Sequence, residues 1–258
     1  GLHPYRGDLG IGPYQRVIDS VEKRGGMVFW SFPEAGDRRQ QAFRPFGTVA
    51  ILTEPHPEVL LHSTGYTGFG ALYQDNVTFT EPGGEWDQLL LEYADGRRSR
   101  PAWGLGELGY HGPPKSLGDV LTVFLASERS KEAILEALKL GRYYSVQPKP
   151  DYRLVLEDFS IGQNGTREWT PMGGELEAGG EGPLSIRLRI SASDNRKVAF
   201  AVRLIRSGSL LHVVQGKTPF TETVDVTPPD RGRREFFRIE IVKPHHLLSN
   251  PIFVRGGP

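Results

Sequence analysis

The sequence predicts an α/β part over residues 1–145 followed by an antiparallel β-sandwich over 151–258. Three observations predict it. Before residue 145, apolar residues recur with helical period and are followed by glycine turns and short apolar runs, the unit of α/β architecture. After Tyr144 the helical period disappears, and alternating apolar and polar residues recur between turn signals. Between the two lies Ser145-Val-Gln-Pro-Lys-Pro150, whose prolines forbid regular structure and mark a linker.

The elements follow in order. Tyr14, Val17, Ile18 and Val21 share one helical face, and Gly25-Gly26 ends that helix. Met27 to Trp30 reads as a short buried strand, Thr48 to Leu52 as a second and Val120 to Leu125 as a third. Residues 53–112 read as irregular, apart from a short helix from Trp86 to Tyr93. Ser130 caps a helix whose apolar face is Ile134, Leu135 and Leu138, and Gly141 stops it. In the second part, Leu184–Ile190 and Phe237–Ile241 alternate as half-buried strands do. Val198–Arg206 and Leu210–Val214 form a hairpin around Ser207-Gly208-Ser209.

Composition narrows the function classes. The 258 residues include 31 basic and 31 acidic side chains, so no bulk charge draws the chain to nucleic acid or an anionic membrane. No apolar run approaches the ~20 residues of a membrane span. There is no cysteine, which excludes disulfides, a thiol nucleophile and thiolate metal sites. The chain begins Gly1-Leu2-His3-Pro4 without Met, as a piece of a longer chain would. The compartment is not legible.

Three stretches together resemble the polymerase and histidinol phosphatase (PHP) superfamily of metal-dependent phosphoesterases, in its subgroup with an appended β-sandwich. The first runs from Val17 through Gly25-Gly26 to Met27-Val-Phe-Trp-Ser-Phe-Pro-Glu34. The second joins Trp86-Asp-Gln-Leu-Leu90, Gly96-Arg-Arg98 and Gly106-Glu-Leu-Gly-Tyr-His111. The third joins Leu121-Thr-Val-Phe124, Glu132 to Leu138 and Gly141-Arg-Tyr-Tyr144. Leu248 to Val254 is similar to the last strand of the appended sandwich. The resemblance implies a distorted, incomplete barrel of parallel strands over 1–145 with metal ions at the strands' carboxyl ends. Those ions activate water for attack on phosphorus and stabilise the leaving oxygen.

The departures from that pattern imply a reduced site. No His-x-His and no Asp-His pair is present. The His-Pro histidine of the family is Phe32 here, and the aspartate of its Asp-x-His is Gly109. His111 remains, with Glu107 four residues before it as a replacement carboxylate. Imidazole and carboxylate suit zinc or manganese. The expectation is one weakly bound divalent ion at most, with Glu54, His56 or Tyr110 as converging third groups. The resemblance therefore implies a phosphoesterase relative of reduced or lost activity, acting on a small phosphorylated molecule. The alternative is a ligand- or partner-binding protein without catalysis.

Other candidates read as follows. Arg97, Arg98 and Arg142 have the forked guanidinium that clamps phosphate, and equally the character of surface arginines. Tyr66-Thr-Gly-Phe-Gly-Ala-Leu-Tyr73 reads as a Gly-aromatic loop that lines a pocket for a flat ring or sugar, or packs over the site's mouth. Tyr66 and Tyr110 are thus candidate substrate contacts. Glu54-Pro-His-Pro-Glu58 is held extended by its prolines, His62 reads as packed, and the adjacent His245-His246 face opposite sides. Gly104-Leu-Gly-Glu-Leu-Gly109 fits a dinucleotide fingerprint by spacing, but no helix follows it. There is no Gly-x-Ser-x-Gly elbow. Carboxylates near Trp and Tyr keep a carbohydrate-active protein as a minor alternative.

Overall fold

The computed structural model describes residues 10–31, 33, 37–43, 45, 47–53, 57–73, 76–110, 112–113, 116–179 and 182–257. In chain order the first part contains α1 (Gly12–Glu22), β1 (Phe29–Trp30), β2 (Asp37–Phe43), β3 (Gly47–Thr53), α2 (Pro57–His62), β4 (Gly68–Tyr73), β5 (Asn76–Val77), α3 (Glu85–Ala94), β6 (Trp103–Glu107), β7 (Leu121–Phe124), α4 (Lys131–Leu140) and β8 (Tyr143–Val146). The second contains β9 (Leu154–Gln163), β10 (Thr170–Pro171), β11 (Glu175–Ala178), β12 (Leu184–Ala192), β13 (Ala199–Arg206), β14 (Ser209–Lys217), β15 (Phe220–Val226), β16 (Arg234–Ile241), β17 (Leu247–Ser249) and β18 (Ile252–Gly256).

The helices end as their residues require. Lys23 and Gly26 close α1 by donating to the carbonyls of Asp19 and Val21. The Ser130 hydroxyl accepts from the Ala133 amide at the start of α4, and Gly141, at φ 70°, turns the chain out of it. The apolar faces differ from expectation. Ile18 is buried in α1, but Tyr14 and Val17 are exposed. In α4 the buried residue is Ala137, while Ile134 and Leu135 stand 40% and 43% exposed.

The α/β class and the parallel barrel are corrected by the structure. Among the described residues strand far outweighs helix, and the sheets do not close into a barrel. Among the described residues of the first part, parallel pairing is confined to β1 with β4 and β4 with β6; β5 joins β4 antiparallel. The reason lies at the outer edge of β6. Its Gly104 amide donates to Asn250 Oδ1 at 2.8 Å, and its Gly106 amide donates to Thr122 Oγ1 at 3.0 Å. Side chains satisfy the amides that another parallel strand would have used. From β6 the chain passes instead into β7 and β8, an antiparallel pair. β2 and β3 form a separate hairpin.

Two sheets stack in the second part. One has the order β10-β9-β12-β15. The other has the order β11-β18-β16-β17-β8-β7, with β13 against β16 and β14 against β13. β8 joins this sheet through Val146 opposite Leu247 and Ser145 opposite Leu248, so one sheet runs across residue 145. Leu156, Phe159 and Ile161 of β9 and Ile186 and Leu188 of β12 meet Phe237, Ile239 and Ile241 of β16 in a single core.

β16 is buried on both faces. Its alternation puts Phe237, Ile239 and Ile241 into that core, and Phe236, Arg238 and Glu240 onto the opposite face. There α3 covers them. Arg238 Nε and Nη2 donate to the two oxygens of Asp87 at 2.7 and 2.8 Å, and Nη2 also donates to the Thr80 carbonyl at 2.7 Å. The guanidinium lies 4.8 Å from the Trp86 ring centroid. Asp87 additionally accepts from the Gly83 amide. Neither side chain of the Asp87–Arg238 pair is exposed to solvent.

Removing one partner strands a buried charge. Asp87→Ala is therefore expected to cost about 3–5 kcal/mol in urea unfolding, and adding Arg238→Met is expected to return much of that loss. A cost for Asp87→Ala below about 1 kcal/mol contradicts the role of the pair.

His245 gives a pH-dependent term. Its ring is buried and its Nε2 accepts from the Leu154 amide at 3.1 Å. Burial first, then the charges of Lys149 and His246, lower its pKa from 6.5 to about 4. Above 6.5 both states are neutral. Between 6.5 and 4 the unfolded chain takes up a proton that the native one refuses, so stability falls as the pH drops through that window. The loss is on the order of 3 kcal/mol. His245→Gln, whose amide oxygen can still accept from Leu154, is expected to flatten that limb in denaturation measured from pH 7 to 4.

Candidate functional site

In open parallel sheets the strands' carboxyl ends form the ligand crevice, because loops diverge there. β1, β4 and β6 run parallel, and their carboxyl edge carries Ser31, Tyr73 and Glu107. Tyr73 and Glu107 are register partners. The Ser31 hydroxyl donates to the Glu107 carboxylate, so side chains 76 residues apart in sequence meet. Glu107 is half-buried. Thr122 stiffens the strand just before it, bonding both the amide and the carbonyl of Gly106. Behind the edge, Trp30 Nε1 donates to Ser63 Oγ at 3.1 Å, and Tyr14 packs edge-on against the Trp30 ring.

Tyr110 follows Glu107 on the same edge and is 45% exposed. His111 lies outside the described residues, as do Phe32, Glu54 and His56. Among the described residues, no three His, Asp or Glu side chains are grouped to hold a metal ion.

The candidate phosphate clamps gather at the opposite, amino edge. A cleft of about 240 Å³ is lined by Thr64, Tyr66, Arg97, Arg98 and Arg100, in the segments that lead into β4 and β6. Arg98 is committed to the protein. Its guanidinium donates to the carbonyls of Leu60, Leu61 and Ser63, which close the carboxyl end of α2, and it pairs with Glu92. Its side chain is 7% exposed. Tyr66 lies under that guanidinium, its hydroxyl donates to the Leu60 carbonyl at 2.8 Å, and burial raises its pKa. Arg97 is 60% exposed and pairs with Asp95 and Glu92. Arg142 is exposed beside Gly141, which packs on the Trp103 ring at the start of β6.

The structure thus joins Tyr66, Arg97 and Arg98 at one end of the parallel strands and puts Glu107 and Tyr110 at the other. The length of β6 separates them by roughly 13 Å. The stretch read as a Gly-aromatic loop holds the central strand β4. His62, read as packed, is exposed at the end of α2, whereas His245 is buried and His246 half-buried. Sequence reasoning missed Ser31 and took Tyr73 only as the end of the Gly-aromatic stretch. The usable signal was position, since each sits at the carboxyl end of an apolar run.

Comparison with protein-family models, with curated proteins and with solved structures finds no match to this chain. Among the described residues, no helix is long and apolar enough to cross a membrane.

The two arginines make a sharp contrast. Arg98→Ala takes the guanidinium donor from the Leu61 and Ser63 carbonyls and leaves Leu60 with Tyr66 and Glu92 with Arg97 alone, and is expected to destabilise by about 1–3 kcal/mol in urea unfolding. Arg97→Ala removes an exposed pair and is expected to change stability by less than about 0.5 kcal/mol. Equal effects would contradict the clamp assigned to Arg98.

Proposed function

We propose that the chain is a relative of the PHP metal-dependent phosphoesterases, with reduced or lost hydrolysis, whose site is the carboxyl edge around Ser31, Tyr73 and Glu107. The observation that carries the reading is the Glu107 carboxylate held by Ser31 where parallel strands end, four residues before His111. Glu107 would supply an oxygen ligand and His111 an imidazole, a donor set that suits one zinc or manganese ion. Such an ion supplies charge for a phosphoryl oxygen. Ser31 fixes the Glu107 carboxylate at the end of the parallel strands. Tyr110, exposed on the same edge, is a contact for the small phosphorylated molecule.

A second reading, ligand binding without hydrolysis, is favoured by Arg98. The family-like Gly96-Arg-Arg98 turn spends that guanidinium on the carbonyls of α2 rather than on a ligand.

Titration calorimetry with Mn²⁺ and Zn²⁺ tests the proposal. The expected result is one ion per chain, with affinity at least about tenfold weaker in Glu107→Gln. Two or more ions per chain, or an affinity that Glu107→Gln leaves unchanged, would overturn it. Turnover of p-nitrophenyl phosphate in the ion-loaded protein separates the two readings.

A further inference from the structure

A cleft of about 560 Å³ lies away from Arg97, Arg98 and Arg142. It falls within the ~300–1,000 Å³ range of small-molecule sites. Its walls are the turn before β7, the segment between β8 and β9, and Ser193 after β12. The segment between β8 and β9 is pinned in place. Gln147 donates to the His246 carbonyl, Lys149 to the Tyr152 carbonyl, and the Arg153 amide to Ser193 Oγ at 3.1 Å, while Ser193 returns a bond to the Arg153 carbonyl. Tyr152 is braced by the Arg196 guanidinium, 4.6 Å from its ring centroid, and by the His245 ring.

Two cations of this cleft differ from most of the arginines in the second part. Arg187, Arg203, Arg206, Arg234 and Arg238 each have a carboxylate partner. Lys149 and Arg153 line the cleft, and among the described residues neither forms an ion pair. Ser193 Oγ accepts from Arg153, so its O–H remains to donate. Two carboxylates share the lining. Asp119 uses Oδ2 to accept from the Ser116 amide, leaving Oδ1, and Asp151 is exposed on the rim. Paired cations with a hydroxyl donor suit a phosphate, and nearby carboxylates disfavour a bare anion while accepting bonds from hydroxyls.

The cleft also adjoins the carboxyl edge. Leu121 lines it, and a Cβ placed on Gly106, the residue before Glu107, would meet the Leu121 carbonyl at 3.0 Å. We propose that this cleft binds a small phosphorylated polyol, with Lys149 and Arg153 holding the phosphate and Asp119 and Asp151 accepting from the hydroxyls. The proposal rests on the phosphorylated-ligand reading of the neighbouring edge and assigns the phosphate to residues that reading did not include.

Calorimetry on the full chain in the presence of a chelator, with ribose 5-phosphate, inorganic phosphate and ribose as probes, tests it. Ribose 5-phosphate is expected to bind more tightly than either fragment. Lys149→Gln and Arg153→Gln are each expected to weaken it about tenfold or more. Lys149 is exposed, so its variant keeps the test valid if Arg153→Gln unfolds. No binding of ribose 5-phosphate, equal binding of inorganic phosphate, or an affinity indifferent to Lys149→Gln overturns the proposal. Absence of Glu107-dependent ion binding, with Lys149-dependent sugar-phosphate binding retained, would defeat the edge reading alone. The reverse pattern would defeat the cleft alone.

Discussion

The buried bidentate pair between Asp87 and Arg238 is the constraint on which the rest of the structure depends. A charge taken out of water is tolerable only if its partner and remaining donors are met. Asp87 meets this demand with Arg238 and the Gly83 amide, and Arg238 meets most of it with the Thr80 carbonyl and the Trp86 ring face, its Nη1 having no hydrogen-bond partner among the described residues. The pair locks α3 onto β16, and it does so in one register. Sliding β16 by one residue would turn Phe237 and Ile239 toward Asp87 and drive Arg238 into the sandwich core.

The consequences reach the candidate site through Trp86. Beside Asp87 on α3, this ring packs edge-on against Phe69 of β4 and fills the space over Gly104 of β6, and its Nε1 donates to the Ala102 carbonyl. The α3 helix therefore positions both strands whose carboxyl ends carry Tyr73 and Glu107. Asn250 acts from the other side. It accepts from Gly104 and donates to the Tyr143 carbonyl, tying β6 to the second part of the chain. Site and sandwich are held in one frame by a few buried polar groups.

Much of this was legible in sequence, and the losses have physical causes. The helix after Ser130, its glycine stop and the strands at 184–190, 198–206 and 237–241 follow from capping and periodicity, which are local. β4 and β6 were not legible because glycines occupy positions where strand formers are expected. The fold explains them. A Cβ on Gly68 would lie 2.1 Å from the Trp103 carbonyl oxygen, and one on Gly104 would lie 2.8 Å from Ala71 Cβ. The barrel expectation failed for a related reason. The resemblance to the PHP superfamily implies a barrel, but the edge of β6 is finished by Asn250, 146 residues from Gly104 in sequence. The alternation of β16 was visible, yet it carries no sign that the polar face is also buried. At the site, Glu107 was legible as a carboxylate near His111. Ser31 and the commitment of Arg98 to α2 required the fold.

The edge bearing Glu107 belongs to the same cooperative unit as the sandwich. Native-state hydrogen exchange of the β6 amides tests it most directly, because Gly104 and Gly106 donate to Asn250 and Thr122 rather than to a neighbouring strand. These two amides are expected to open with the same free energy as those of β16, through global unfolding. Exchange of the β6 amides by a local opening several kcal/mol cheaper than that of β16 would contradict it.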